Sequence, residues 1–188
     1  ADGFGIGWNN KGSFNSYKNH LPIWNDLNLK SLSMSICSNL IIGNVRSATI
    51  TENIGYFNTH PFCYDNYCFS HNGYIKDFDN QSKKYITNCL NEKFSSLIKG
   101  NTDSELIFIL LMQYIEKTKN IKNIIKKIIK FIDKNYRASM LNFLLASDNK
   151  KGKKTLEDIK KGMYCILILN LSDVWITIDE KSKALQYG

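Results

Sequence analysis

The chain has 188 residues, 43% of them apolar, and a formal net charge of +8, which allows one domain with a sizeable core and leaves no room for a second large one beside it. No uninterrupted apolar run approaches the roughly 20 residues that span a bilayer, so a soluble, cytoplasmic chain with no membrane partner is expected. The charge is regional, because residues 117–161 hold fourteen Lys or Arg against four acidic residues and the remainder carries −2; with no aromatic interleaving or RNA-binding signature, this reads as a solvated helical face rather than a nucleic-acid site.

In chain order, residues 3–8 alternate glycine with large apolar residues (Gly3, Phe4, Gly5, Ile6, Gly7, Trp8), the pattern of a buried strand whose glycine face is closely approached by another backbone or a ligand. The Asn, Gly and Ser-rich residues 9–16 predict a turn, followed by a strand at about 14–18 and a short helix at about 27–36. Residues 40–46 form an apolar run that ends in Asn44, Val45 and Arg46, so a polar cluster is expected at a strand end. Residues 50–62 read as loop. Tyr67 to Ser70 read as a strand running into His71-Asn72-Gly73, where the Asn-Gly pair predicts a tight turn and a hairpin. Thr102-Asp103-Ser104-Glu105 is a capping-box string ahead of an apolar run from Leu106 to Ile115, which starts a helix. Ile121, Ile124, Ile125, Ile128, Ile129 and Ile132 recur at helical spacing with lysines between them, an amphipathic helix that packs on the domain. Residues 140–147 predict a strand, 149–161 a lysine-rich loop or short helix, and 163–170 and 173–178 two late strands. Strands around a helical middle make the class α+β or layered α/β.

The residue inventory narrows the chemistry. Five cysteines (Cys37, Cys63, Cys68, Cys89, Cys165) are irregularly spaced without a C-x-x-C pair or matching histidines, so reduced thiols and no metal are expected. Lysine outnumbers arginine 23 to 2. An arginine retained in so lysine-rich a chain suggests a geometric demand that only the planar guanidinium fork meets, such as bidentate binding of a carboxylate. The two are Arg46 and Arg137.

Four strings then stand in sequence: Ala1-Asp2-Gly3-Phe4-Gly5-Ile6-Gly7-Trp8; Val45-Arg46-Ser47-Ala48-Thr49; His60-Pro61-Phe62 with Ser70-His71-Asn72-Gly73; and Gly100-Asn101-Thr102-Asp103-Ser104-Glu105. Their order and spacing resemble the class II glutamine amidotransferases, within the N-terminal nucleophile hydrolases, over roughly residues 1–112. The resemblance implies a four-layer αββα sandwich, no cofactor, and a small-molecule γ-glutamyl substrate. Such a substrate presents an α-carboxylate, an α-ammonium and a γ-carbonyl, so its site needs a cationic fork, an anion and an oxyanion hole. By resemblance Arg46 grips the α-carboxylate, Thr49 and His60 contact the substrate's backbone groups, and Asp103 binds the α-ammonium. Asn72, through its side-chain amide, and Gly73, through its N–H, form the oxyanion hole. Read as residues alone, a structural salt bridge is the lesser reading of Arg46, His60 is equally a satisfied loop histidine, Asn72-Gly73 is foremost a plain turn, and Asp103 is indistinguishable from a carboxylate capping a helix N-terminus.

The family's mechanism uses an N-terminal cysteine whose thiol attacks the γ-carbonyl while its own α-amine serves as base, giving a thioester that water hydrolyses. None of the five cysteines has an adjacent free amine, so none is promoted to nucleophile. The expectation is a single domain over 1–188 without its first strand and catalytic N-terminus, inactive as it stands. Its length and the strings around Arg46 and Asn72 look like the stand-alone branch that includes the γ-glutamyl hydrolase of ergothioneine biosynthesis. Alternatives are an ammonia-supplying subunit of a separate synthase and a catalytically dead γ-glutamyl-binding or interaction protein; a synthase or a second copy of the chain is the expected protein partner.

Overall fold

A computed structural model describes residues 3–46, 55–118, 120–136, 138–148 and 164–169. The chain divides into two compact units, Ala1–Ser70 with Phe143–Gly188, and His71–Asn142. The class is mixed α/β, with two sheets and a group of helices.

In the first unit, β1 (Phe4–Asn10) is the middle strand of an antiparallel sheet between β2 (Ser13–Asn19) and β3 (Ile41–Val45). Lys11 and Gly12 form the two-residue loop from β1 to β2, both with positive φ (53° and 99°), the geometry that matches strand twist in a tight hairpin. The turn expected over 9–16 is therefore shorter, and both strands extend into it. A short helix, α1 (Leu29–Ser35), buries none of its residues. The expected glycine face is real. A Cβ on Gly5 would lie 2.0 Å from the His60 carbonyl oxygen, and one on Gly7 2.6 Å from Cys68 Sγ and 2.9 Å from Pro61 Cγ. Only glycine lets β1 lie so near these atoms.

The second sheet has the order β4 (Phe62–Tyr64), β5 (Tyr67–Ile75), β6 (Ala138–Asp148), β7 (Tyr164–Leu169). β4 and β5 are joined by Asp65 and Asn66, with Asp65 at φ 52°. Phe14, Leu40, Ile42, Cys68 and Ala146 form a core cluster of the first unit. The hairpin expected at Asn72-Gly73 is not there: both residues lie inside β5, and the chain turns at Asp65-Asn66 instead. Neither Asn72 nor Gly73 has the positive φ that the predicted turn demands. Propensity for a turn yields here to strand pairing, which continues past Ser70.

The second unit is built around α4 (Asp103–Lys117), buried at ten consecutive positions from Ser104 to Gln113. A helix apolar on all sides must be enclosed, and α2 (Asn80–Asn88), α3 (Glu92–Ser95) and α5 (Ile121–Asn135) pack against it. Its buried amide, Gln113, is satisfied at both ends, accepting from Asn91 N (2.7 Å) and donating to Cys89 O (2.9 Å). The amphipathic helix forms as expected. Ile124, Ile125, Ile128 and Ile132 are buried, each worth roughly 1.5–3 kcal/mol, while Lys126, Lys127, Lys130 and Lys134 are exposed. Each helix of eight residues or more in this unit starts at a side-chain cap, Asp79, Thr102 or Asn120. Among the described residues no helix is long and apolar enough to cross a membrane.

Candidate functional site

The candidate residues fall in both units. In the first, Arg46 follows β3, half-buried, and its main-chain N–H donates to Gly3 O at 2.8 Å. Gly3 has φ +122°, and a Cβ there would meet Asn19 O at 2.8 Å and Thr59 Oγ1 at 3.2 Å. Thr59 is fully buried and donates to Gly55 O at 2.9 Å. His60 is 6% exposed, its ring edge-on to Phe62 at 4.8 Å, and is joined to Pro61 by a cis peptide bond. The structure thus brings Gly3, Gly5, Arg46, Thr59 and His60 to one end of the β1–β3 sheet. Thr49 and Asp2 lie outside the described residues, as do Arg137, 149–161 and 173–178.

Asn44 stands in the polar strand end expected at residues 44–46. It pairs with Gly5 across the sheet, and its Nδ2 donates to Ser70 Oγ at 2.9 Å. Its Oδ1 is buried with no hydrogen-bond partner among the described residues. A buried acceptor without a donor costs about 1–3 kcal/mol, so its place two residues before Arg46 makes it an additional candidate. The available sequence signal was a polar residue facing a strand of required glycines.

In the second unit, β5 carries Asn72, exposed, and Gly73, half-buried. Asn72 O accepts from Asn142 Nδ2 at 3.0 Å. Asp103, the first residue of α4, accepts from Ile75 N through Oδ2 (2.7 Å) and from Ser104 N through Oδ1 (2.7 Å). The structure therefore brings Asp103 to the strand end that bears Asn72 and Gly73. Ser104 Oγ donates to Asp103 Oδ1 at 3.2 Å and shares a 2.9 Å hydrogen bond with His71 Nδ1. A hydroxyl has one proton, so with that proton given to Asp103 the histidine is the donor to Ser104. Here the carboxylate touches the serine and not the imidazole, the reverse of a Ser-His-Asp relay. The network holds Asp103 rather than activating Ser104.

The helix cap behind Asp103 departs from expectation in one limb. Thr102 Oγ1 accepts from Glu105 N at 3.3 Å as the capping box predicts, but Glu105 reaches past Thr102 to accept from Lys99 N (2.9 Å) and Gly100 N (2.8 Å). The preceding loop is thereby tied to α4. Among the described residues no group of three or more His, Cys, Asp or Glu is placed to hold a metal ion.

Comparison with known proteins gives the family. Residues 1–167 match the family model described as class-II glutamine amidotransferases. The chain is 35% identical over 101 residues to the Saccharomyces cerevisiae protein described as "Probable glutamine amidotransferase DUG3", covering 54% of this chain and 28% of that protein. It is 31% identical over 75 residues to gamma-glutamyl-hercynylcysteine sulfoxide hydrolase of Mycobacterium tuberculosis, covering 40% of this chain and 32% of that protein. The chain thus matches less than a third of the length of either relative. Its fold is similar to that of a glutamine aminotransferase class-II domain protein from Silicibacter pomeroyi (TM-score 0.59, 23% identity, 76% of this chain and 64% of that one). It is also similar to glutamine phosphoribosylpyrophosphate amidotransferase from B. subtilis (TM-score 0.56, 20% identity, 78% and 29%). On the family match across 167 of its 188 residues, the chain belongs to the class II glutamine amidotransferases.

Proposed function

We propose that the protein hydrolyses a γ-glutamyl amide, glutamine or a γ-glutamyl conjugate, through a cysteine thioester. In this reading Arg46 holds the substrate α-carboxylate by a bidentate fork, Asp103 the α-ammonium, and Thr49 and His60 the substrate's backbone groups. Asn72 and Gly73 donate to the oxyanion that develops on the γ-oxygen, where donors fixed in advance lower the barrier most. The observation that carries the reading is the 2.7 Å bond from Ile75 N to Asp103 Oδ2. It ties the proposed ammonium-binding carboxylate to the strand that carries the proposed oxyanion donors.

A conjugate rather than glutamine alone is favoured by the relative whose name specifies a γ-glutamyl sulfoxide substrate, which makes an ergothioneine-type reaction the finer form of the proposal. The test is glutamate release from glutamine and a panel of γ-glutamyl conjugates by the protein carrying the family's N-terminal cysteine, with Asn72→Ala alongside. Release slowed about 10²–10³-fold in kcat by the substitution is expected of a lost oxyanion donor. No release from any compound, or unaltered release in the variant, contradicts the assignment.

A further inference from the structure

Cys63 and Cys68 stand directly opposite each other on β4 and β5, with their sulfur atoms 3.0 Å apart. Both are free thiols. Opposed residues of an antiparallel pair have Cα atoms about 4.5–5.5 Å apart, inside the 4.4–6.8 Å range that disulfides span. Bond formation therefore needs the sulfurs to close by only about 1 Å and leaves the hairpin backbone in place. The site is built around the pair: β1 contributes glycine at position 7, where any Cβ would lie 2.6 Å from Cys68 Sγ and 3.4 Å from Cys63 Sγ.

The two thiols are unlike. Cys68 is fully buried, whereas Cys63 is partly exposed. The Cys68 thiol donating to it, then the Lys18 ammonium, hold Cys63 below the ordinary thiol value against the opposing cost of burial. Lys18 also lies over the Phe62 ring at 4.8 Å. Burial pushes Cys68 far upward. A partly exposed thiol held below its ordinary value beside a buried thiol is the arrangement of an attacking and a resolving cysteine.

We propose that Cys63 and Cys68 are a redox-active dithiol that closes into a cross-strand disulfide on exposure to a peroxide or a small-molecule disulfide. With hydrogen peroxide, the Cys63 thiolate attacks one oxygen, the O–O bond breaks, and the other oxygen leaves as hydroxide, giving a sulfenic acid. Cys68 sulfur then attacks Cys63 sulfur, the S–O bond breaks, and the departing hydroxide takes the thiol proton. Two thiols and one peroxide thus become one disulfide and two waters. The bond fastens the hairpin that carries His60 and Pro61 at its entry, against which Gly5 and Gly7 of β1 are packed. The inference is independent of the substrate proposed above.

The segment 47–76 contains no Lys or Arg before Lys76 and no cysteine besides this pair, so trypsin releases both thiols on one peptide after cleavage at Arg46. The reduced protein is treated under native conditions with hydrogen peroxide or oxidised glutathione, then alkylated in denaturant, digested and weighed. The expected peptide is lighter by two hydrogens, carries no alkyl group, and regains two alkyl sites after reduction. In Cys68→Ser, Cys63 is expected to stop at a sulfenic acid or a glutathione adduct. A wild-type peptide that keeps two alkyl groups while Cys37 and Cys89 are oxidised overturns the proposal. So does a wild-type peptide with a persistent adduct on Cys63, or a disulfide that forms only in denaturant.

Discussion

The two units fix their candidate residues by different physics. In His71–Asn142 the carboxylate of Asp103 is held by hydrogen bonds to Ile75 N, Ser104 N and Ser104 Oγ, on a helix whose preceding loop is tied down by Glu105. Around Arg46 and His60 placement rests also on steric fit, with glycines at 3, 5 and 7 admitting backbone and side-chain atoms where a Cβ has no room. Hydrogen-bonded placement should fail gradually as single partners are removed, whereas placement by close approach should fail abruptly.

The largest effect is expected at Gly5. A Cβ 2.0 Å from the His60 carbonyl meets backbone that cannot rotate away, and overpacking of that kind costs about 3 kcal/mol or more. Urea unfolding of Gly5→Ala checks this, and a cost under about 1 kcal/mol would mean that the approach is not tight. Next comes Glu105→Ala, which leaves the Lys99 and Gly100 amides without their carboxylate acceptor. A loss of about 2–3 kcal/mol is expected from charge-assisted bonds to a buried side chain, with Gln recovering part of it. Thr102→Ala removes only the cap on Glu105 N and should cost about 1 kcal/mol. The gap between these two substitutions measures how far the loop tie outweighs the cap.

The smallest effect depends on pH. Asp26 accepts from the Asn19 side chain (2.8 Å), the Tyr17 hydroxyl (2.7 Å) and Asn28 N (2.8 Å), which hold its carboxyl below the ordinary value of 3.8. The unfolded chain then binds this proton at higher pH than the folded one. Its stabilisation is therefore complete above the ordinary value and is lost as pH falls through the lower folded value. Asp26→Asn should lower the unfolding midpoint at pH 7, with the difference from wild type shrinking towards pH 2. A difference that stays constant with pH would show that the charge is not involved.

Much of this was legible in the sequence because the signals were redundant. Helix α4 had a cap and an apolar run, α5 a repeating isoleucine stripe, and β1 a glycine alternation whose purpose is visible in the 2.0 Å approach to His60. Local chemistry misled where tertiary pairing decides. Asn72-Gly73 has the residues of a turn, yet strand pairing draws it into β5, and the turn falls at Asp65-Asn66 with its non-glycine positive φ. That same turn brings Cys63 and Cys68 together despite their irregular spacing in the sequence. Four intervening residues place two cysteines opposite each other only once the middle two are known to turn. Asn44 and the bond from Ile75 N to Asp103 were hidden because each joins residues far apart in the chain.

Binding of a γ-glutamyl unit by the proposed site is tested most directly by calorimetry with glutamine on wild type and Arg46→Ala. Loss of a charge-assisted fork should weaken binding by about 1.5–3 kcal/mol, or roughly 10–150-fold. Equal heats and affinities in the two proteins would remove Arg46, and the γ-glutamyl site built on it, from the account.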